Sequence, residues 1–187
     1  MSAARLGRLF ASALGAGVLA LVVACSSAST ALPGKPAGRA APDATATARA
    51  QAVTRALTAY NGYLNSYVRA SRTADWKATE IDAYVADPLR SQIHQALFAD
   101  RQQGVVMVGK PAWHPVVTEV EVATEPYVVM LRDCFDTTNW RPIVQATGKS
   151  ALAPGQLTRY VATAKAELYA DGSWYIQQVT SDRSTRC

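Results

Sequence analysis

The chain has 187 residues and carries 19 lysines and arginines against 14 aspartates and glutamates, a formal net charge of +5. The basic residues are scattered, without a cluster and without interleaved aromatic residues, so we expect no nucleic-acid partner. The length suits one domain with a substantial hydrophobic core.

Residues 1–24 have the three parts of a secretory signal peptide. Arg5 and Arg8 form a positively charged start, and the apolar run Leu9–Ala24 is too short for a comfortable membrane span. The run ends in LVVAC (21–25), which resembles the bacterial lipobox. The sequence therefore predicts cleavage before Cys25 and attachment of palmitate-type acyl chains there, with an ordinary signal peptide as the alternative. Cys25 would anchor the protein to the outer face of the cell membrane.

Residues 25–46 are expected to form a flexible tether. They consist mainly of Ala, Ser, Thr, Pro and Gly and show no apolar periodicity. Such a composition cannot bury enough apolar surface to offset the loss of chain entropy. We expect the tether to lift a single domain, residues 47–187, clear of the membrane surface.

The two cysteines that remain, Cys134 and Cys187, are predicted to form a disulfide. A domain outside the cytoplasmic membrane lies where thiols are oxidised. A nucleophilic Cys134 would need a histidine base, and the chain contains only His94 and His114. A metal site would need several Cys, His or acidic ligands at compact spacing, and the sequence has none. We therefore expect a structural disulfide, no metal and no cofactor.

Three helices are predicted in the first half of the domain. Ala48–Ser71 places apolar residues every three or four positions, which is typical of an amphipathic helix. Residues 73–86, TADWKATEIDAYVA, are expected to form a second, shorter helix. In the third, Asp87 is the predicted N-cap, Pro88 the first helical residue and Gly104 the terminator.

After Gly104 the apolar period changes to two, which predicts strands. Asp171 and Gly172 indicate a two-residue hairpin turn, which would pair Tyr169 with Trp174. Helices followed by an antiparallel sheet predict an α+β fold. The expected strands are GVVMVG (104–109), VVTEVEVA (116–123), YVVMLRDCF (127–135), WRPIVQA (140–146) and the two arms of a hairpin over 157–182.

Several short motifs together resemble those of a known group of proteins. They are ALTAYNGYLNSYVRA (56–70), Asp87-Pro88, Gly109-Lys-Pro111, Pro115-Val-Val117, RDCFDTTNW (132–140), DGSWYIQQV (171–179) and Cys187. The chain resembles small lipoproteins of high-GC Gram-positive bacteria with the cone-shaped fold of nuclear transport factor 2. This resemblance implies three N-terminal helices packed on one strongly curved antiparallel sheet. It carries no established activity.

Candidate site residues follow from the chemistry of enzymes with that fold. Ketosteroid isomerases and polyketide cyclases use an Asp or His inside the cone with Tyr or Asp donors, which directs attention to His94, Asp133, Asp136, Tyr60 and Tyr127. The aromatic residues Tyr60, Tyr63, Tyr67, Trp76 and Tyr84 are candidates for lining a pocket, although helical spacing is also typical of core residues. The sequence identifies no catalytic residue.

Two functional classes remain open at this point. The first, which we favour, is a non-enzymatic envelope lipoprotein that binds a small apolar ligand or a protein partner. The second is an isomerase, dehydratase or cyclase that uses an acid or His inside the cone. An acid or His facing the cone would favour catalysis, whereas an apolar cone would favour binding.

Overall fold

A computed structural model describes residues 43–187 of the chain. The predicted signal peptide, the lipidation site Cys25 and most of the predicted tether lie outside the described residues. The regular elements, in chain order, are α1 Ala44–Ser71, a 3-10 helix Thr79–Ile81, α2 Leu89–Gln103, β1 Val105–Gly109, β2 Val116–Glu121, β3 Val128–Asp136, β4 Trp140–Val144, β5 Arg159–Leu168 and β6 Trp174–Asp182.

The fold is α+β, as predicted, and α1 is its longest element. α1 begins at Ala44, four residues before the predicted start, because the carboxylate of Asp43 accepts a hydrogen bond of 3.2 Å from the N–H of Thr45. Its inward face combines small and aromatic residues, which lets the helix pack closely on the sheet. The buried members of this face include Ala52, Ala56, Ala59, Tyr60, Tyr63, Leu64 and Val68.

The prediction of a helix over residues 73–86 is wrong, and the described chain has two α-helices where three were expected. Ala74 adopts a left-handed backbone with φ of 49°, and only Thr79–Ile81 forms a single 3-10 turn. The segment then runs beside the last strand, where the N–H of Ile176 donates to the carbonyl of Tyr84. Tertiary pairing with β6 therefore overrides the helical spacing of the apolar residues.

The helix predicted after Asp87 is present as α2. The predicted start is wrong by one residue: Pro88, not Asp87, is the N-cap, and Leu89 is the first helical residue. The carboxylate of Asp87 still accepts a hydrogen bond of 3.2 Å from the N–H of Ser91 in the first turn. Gly104 ends α2 with φ of 64°, the left-handed conformation that glycine adopts without steric cost.

The strands divide between two sheets, so the expectation of one strongly curved sheet is wrong. The larger sheet has the order β2-β3-β5-β6 and is antiparallel throughout, the smaller pairs β1 with β4, and neither is strongly curled. Residues 110–115 join β1 to β2 and include Pro111 and Pro115. Proline has no N–H to donate to a strand ladder, which suits these residues to a connection between strands of different sheets.

One face of the larger sheet supplies most of its buried side chains. On β3 the buried residues alternate at Val129, Leu131, Asp133 and Phe135, which is the period expected of a half-buried strand. On β5 alanines lie opposite three of these positions, whereas Tyr160 lies opposite Phe135. The small alanine side chains leave room for helix packing, and the aromatic end becomes the wall of a cavity.

The β5–β6 hairpin is present, but its predicted register is wrong by one residue. Leu168, not Tyr169, lies opposite Trp174. The N–H of Tyr169 donates to the carbonyl of Ser173, so the loop contains three residues, the last of which is Gly172 with φ of 79°. A left-handed glycine in this position is typical of three-residue hairpin loops. The carboxylate of Asp171 stabilises the loop by accepting from the N–H of Ser173.

The predicted disulfide between Cys134 and Cys187 is present. The two Cα atoms lie 5.7 Å apart, within the range that a disulfide can bridge. The disulfide joins β3 to the tail that follows β6, and the N–H of Val161 on β5 donates to the carbonyl of Thr185 in that tail. The tail is therefore fastened across two strands of the larger sheet.

Candidate functional site

A cavity of about 250 Å³ lies where α1, α2 and the aromatic end of the larger sheet meet. Its mouth is formed by the exposed residues Gln92, Ala96, Ser181 and Arg183, and its interior is largely apolar. The remaining lining residues are Tyr60, Tyr63, Leu64, Tyr67, Ile93, Phe135, Trp140, Tyr160, Ala162 and Val179.

Six aromatic rings form a continuous wall around this cavity. The rings of Tyr63 and Tyr67 are stacked, with centroids 6.1 Å apart, and the edge of Tyr67 meets Trp140 at 5.8 Å. Phe135 contacts both Trp140 and Tyr160, at centroid distances of 6.2 and 5.9 Å. These spacings are those of favourable offset and edge-to-face aromatic pairs, so the wall is preorganised.

Two tyrosine hydroxyls in the wall have no hydrogen-bond partner within residues 43–187. They belong to Tyr63, which is only 6% exposed, and to Tyr67. Burial, followed by the neighbouring tyrosines, raises the pKa of Tyr63 well above its ordinary value. Burial and the Asp100 carboxylate raise the pKa of Tyr67 to about 12. Both phenols are therefore neutral hydrogen-bond donors at physiological pH.

Arg183 brings the positive charge of a guanidinium to the cavity mouth. Its Nη2 donates a hydrogen bond of 3.1 Å to the hydroxyl of Tyr160, and its guanidinium carbon lies 4.3 Å from the centre of that ring. The contact combines a hydrogen bond with a cation–π interaction. Arg183 belongs to the tail fastened by Cys187, so the disulfide helps to place this charge.

Tyr60 and Asp133 form a buried pair beside the cavity. The hydroxyl of Tyr60 donates a hydrogen bond of 2.9 Å to Oδ2 of Asp133, while Oδ1 accepts 2.8 Å from the backbone N–H of His114. Asp133 is 3% exposed and does not line the cavity. Burial and the Asp133 carboxylate raise the pKa of Tyr60 far above its ordinary value. The pair therefore joins α1, β3 and the 110–115 connection.

The other residues suggested by the sequence lie outside the cavity. Trp76 is 38% exposed and packs edge-on against Phe98, and Tyr84 lines a surface hollow beside the hairpin loop. Tyr127 is partly buried against the core. Asp136 accepts from the N–H of Thr138 within its own turn.

His94 joins α2 to the irregular segment before it and does not face the cavity. Its Nε2 lies 2.8 Å from Oδ1 of Asp82, and its Nδ1 lies 2.7 Å from the carbonyl oxygen of Trp76. Burial opposes the charged ring, but the hydrogen bonds to Asp82 and Trp76 outweigh it and raise the pKa of His94. Because both ring nitrogens face acceptors, the doubly protonated imidazolium fits this site best.

The sequence analysis identified only Tyr60, Tyr63 and Tyr67 among the residues that line the cavity. The aromatic and charged lining residues that it missed are Phe135, Trp140, Tyr160 and Arg183. The alternation of side chains along a strand could have identified Phe135, because it lies two residues after the candidate Asp133 and therefore on the same face of β3. No local pattern marks Arg183, because only the disulfide and the tail bring it to the mouth. Trp140 has a further feature: its Nε1 is buried without a hydrogen-bond partner in the described region.

Within the described residues, no group of three His, Cys, Asp or Glu side chains is arranged to hold a metal ion. The same region contains no helix of the length and apolar character needed to cross a bilayer.

Comparison with known proteins identifies no family. No family model matches the chain, and no curated protein matches it. A ketosteroid isomerase-like protein from Erwinia carotovora atroseptica is 16% identical with a TM-score of 0.45, covering 68% of this chain and 92% of that one. The intermembrane space region of the chloroplast protein ARC6 is 11% identical with a TM-score of 0.40, covering 70% and 95%. Likenesses this distant assign no activity or ligand to this chain.

Proposed function

We propose that this protein is a non-catalytic binding module that holds a small, largely apolar ligand in the aromatic cavity. We further propose that Cys25 carries a lipid that anchors it to the outer face of the cell membrane. The observation that carries the binding proposal is the cavity of about 250 Å³ walled by six aromatic rings. Concave apolar sites with few polar groups are typical of small-molecule binding.

The alternative, an isomerase, dehydratase or cyclase, has less support from the lining of the cavity. General acid–base catalysis needs a titratable group within hydrogen-bond reach of the substrate. The described lining contains no Asp, Glu or His, and the raised pKa values of Tyr63 and Tyr67 keep both phenols protonated, so neither supplies a base near neutral pH. Asp133, a buried acid that contacts the lining residue Tyr60, has both oxygens engaged by Tyr60 and the backbone of His114.

A small aromatic probe tests the binding proposal. We expect the purified protein to bind 2-methylnaphthalene, measured by the fluorescence change of the probe on titration. Ala96→Trp places a bulky ring at the cavity mouth and is expected to weaken binding by roughly tenfold or more, about 1.4 kcal/mol. The matched control is Ala99→Trp, which changes an exposed residue of the same helix that does not line the cavity.

Either of two results would overturn the binding proposal. One is the absence of any saturable binding by the unmodified protein. The other is equal affinity in the Ala96→Trp and Ala99→Trp variants, because binding would then occur elsewhere on the surface. Circular dichroism spectra of both variants establish that the fold is retained.

The anchor proposal rests on the lipobox-like LVVAC and on the spacer composition after it. A lipoprotein anchor supplies two or more acyl chains, which are enough for stable attachment. We expect labelled palmitate to be incorporated in a bacterial host and the protein to fractionate with membranes. Cys25→Ala should abolish both, and incorporation that survives this substitution would contradict the anchor.

A further inference from the structure

Two tyrosine hydroxyls in the aromatic wall have no acceptor within the described part of the chain. They are those of Tyr63 and Tyr67; the side chain of Tyr63 is buried and that of Tyr67 is partly buried. Both phenols line the cavity and can donate hydrogen bonds to a ligand there.

The positive charge at the cavity mouth also favours a ligand that accepts hydrogen bonds. Among the lining residues described above, Arg183 is the only charged one, and its guanidinium is already held against the ring of Tyr160 at 4.3 Å. Arg183 lines the same cavity as Tyr67, and its positive charge partly offsets the burial and the Asp100 carboxylate that raise the pKa of Tyr67. A guanidinium is a planar, permanently charged donor that fits a carboxylate with two parallel hydrogen bonds.

The acidic residue Asp100 is expected to oppose the binding of an anionic ligand. Asp100 lies on α2 one turn after Ala96, and its carboxylate raises the pKa of Tyr67. Burial raises the pKa of Asp100 itself. A negative charge on Asp100 would repel an anionic ligand, so the two charged residues, Arg183 and Asp100, have opposite expected effects on its affinity.

The apolar part of the ligand is set by the size and shape of the walls. A volume of about 250 Å³ is slightly below the roughly 300–1,000 Å³ of pockets that hold drug-sized molecules. The parallel rings of Tyr63 and Tyr67 and the edges of Phe135 and Trp140 offer flat and edge-on contacts to another ring. A planar occupant of one or two fused rings suits this space.

Resting on the proposed function, we infer that the ligand of this cavity is a small planar aromatic carboxylate. Its ring lies against the aromatic wall, and its carboxylate accepts hydrogen bonds from Tyr63, Tyr67 and Arg183. The assignment is one of binding alone, with no bond made or broken.

Three probes of similar shape test this inference: 2-naphthoate, 2-methylnaphthalene and 2-(aminomethyl)naphthalene. We expect 2-naphthoate to bind roughly tenfold more tightly than 2-methylnaphthalene, and the cationic amine to bind more weakly than both. Arg183→Gln should remove most of the preference for 2-naphthoate. Asp100→Asn should increase the affinity for 2-naphthoate and leave that for 2-methylnaphthalene unchanged.

A variant with Tyr63→Phe and Tyr67→Phe separates hydrogen bonding from apolar contact. It keeps both rings but removes both hydroxyls, so it should weaken 2-naphthoate by roughly tenfold while 2-methylnaphthalene binds at least as tightly as before. Thermal unfolding of each variant verifies that the domain remains folded.

The outcomes distinguish this inference from the binding proposal on which it rests. If none of the probes binds saturably, the cavity is not a binding site and both proposals are overturned. If 2-methylnaphthalene binds in the cavity but 2-naphthoate binds no more tightly, the carboxylate assignment alone is wrong. The same holds if Arg183→Gln weakens both probes equally.

Discussion

The hydroxyl of Tyr60 donates a hydrogen bond of 2.9 Å to the carboxyl group of Asp133, and both residues are almost completely buried. The bond connects α1 to β3 across 73 residues of sequence. The second oxygen of Asp133 accepts from the N–H of His114, so one side chain joins three parts of the domain. A fully satisfied buried carboxyl group of this kind fixes the position of the helix on the sheet.

Tyr60→Phe is expected to destabilise the domain, because it leaves one buried oxygen of Asp133 without its side-chain donor. The predicted loss is about 1–3 kcal/mol in the free energy of unfolding. Tyr63→Phe is the matched control, since Tyr63 is also buried but its hydroxyl has no partner in the described chain. Urea denaturation of both variants gives the comparison. Equal stability of the two variants would show that the Tyr60–Asp133 bond contributes nothing.

Reduction of the disulfide is expected to lower the melting temperature while leaving the secondary structure largely intact. The cysteines are separated by 53 residues, and closing a loop of that length stabilises the fold by roughly 4 kcal/mol in the chain-entropy model. The measurement is thermal unfolding followed by circular dichroism, with and without a dithiol reductant. The variant Cys134→Ser with Cys187→Ser is the control, because reductant should no longer change its melting temperature. Two free thiols in the oxidised, denatured mature protein would contradict the pairing.

The parts of the fold that the sequence predicted depend on local patterns. Apolar spacing identified α1, and Gly104 marked the end of α2, because a left-handed residue is needed where that helix ends. The period of two identified the strands. The disulfide was predictable because few alternatives existed for Cys134 and Cys187 once Cys25 was assigned to lipidation.

The parts that were not predictable depend on tertiary contacts. Residues 73–86 have helical apolar spacing, but Val85 bridges to Ile176 and the chain there follows β6. The hairpin register differed because Asp171 and Gly172 belong to a loop of three residues, a choice that the dipeptide alone does not determine. The cavity combines residues from two helices, four strands and the tail, so its composition follows only from the assembled fold.

Gly62 also owes its role to a tertiary contact, and it provides a third prediction. The ring of Tyr84 occupies the position that a Cβ on residue 62 would take, so the glycine allows the 73–86 segment to pack on α1. Gly62→Ala is expected to destabilise the domain by about 1–3 kcal/mol through overpacking, despite a gain of about 1 kcal/mol in helix propensity. Urea denaturation measures the change.

A double-mutant cycle tests whether Tyr84 is the cause. In a Tyr84→Ala background the obstructing ring is gone, so Gly62→Ala should become neutral or stabilising. If Gly62→Ala destabilises the protein equally in both backgrounds, the contact with Tyr84 is not responsible.

The final prediction concerns the dependence of stability on pH. Hydrogen bonds to Asp82 and to the carbonyl of Trp76 raise the pKa of His94 above its ordinary value of 6.5, against the effects of burial and of Arg90. Folding therefore favours the protonated ring, and this contribution is fully present below the unfolded pKa. It is lost as the pH rises through the higher folded pKa. The free energy of unfolding should accordingly decrease as the pH is raised from about 6.5.

His94→Gln should remove this decrease, because glutamine can keep a hydrogen bond but cannot gain the charge. His114→Gln, which replaces the other histidine of the chain, should retain it. Urea denaturation of the three proteins at a series of pH values gives the comparison, and direct titration of the His94 ring by NMR gives its folded pKa. A folded pKa below 6.5 would reverse the predicted sign, since the protonated ring would then be disfavoured by folding.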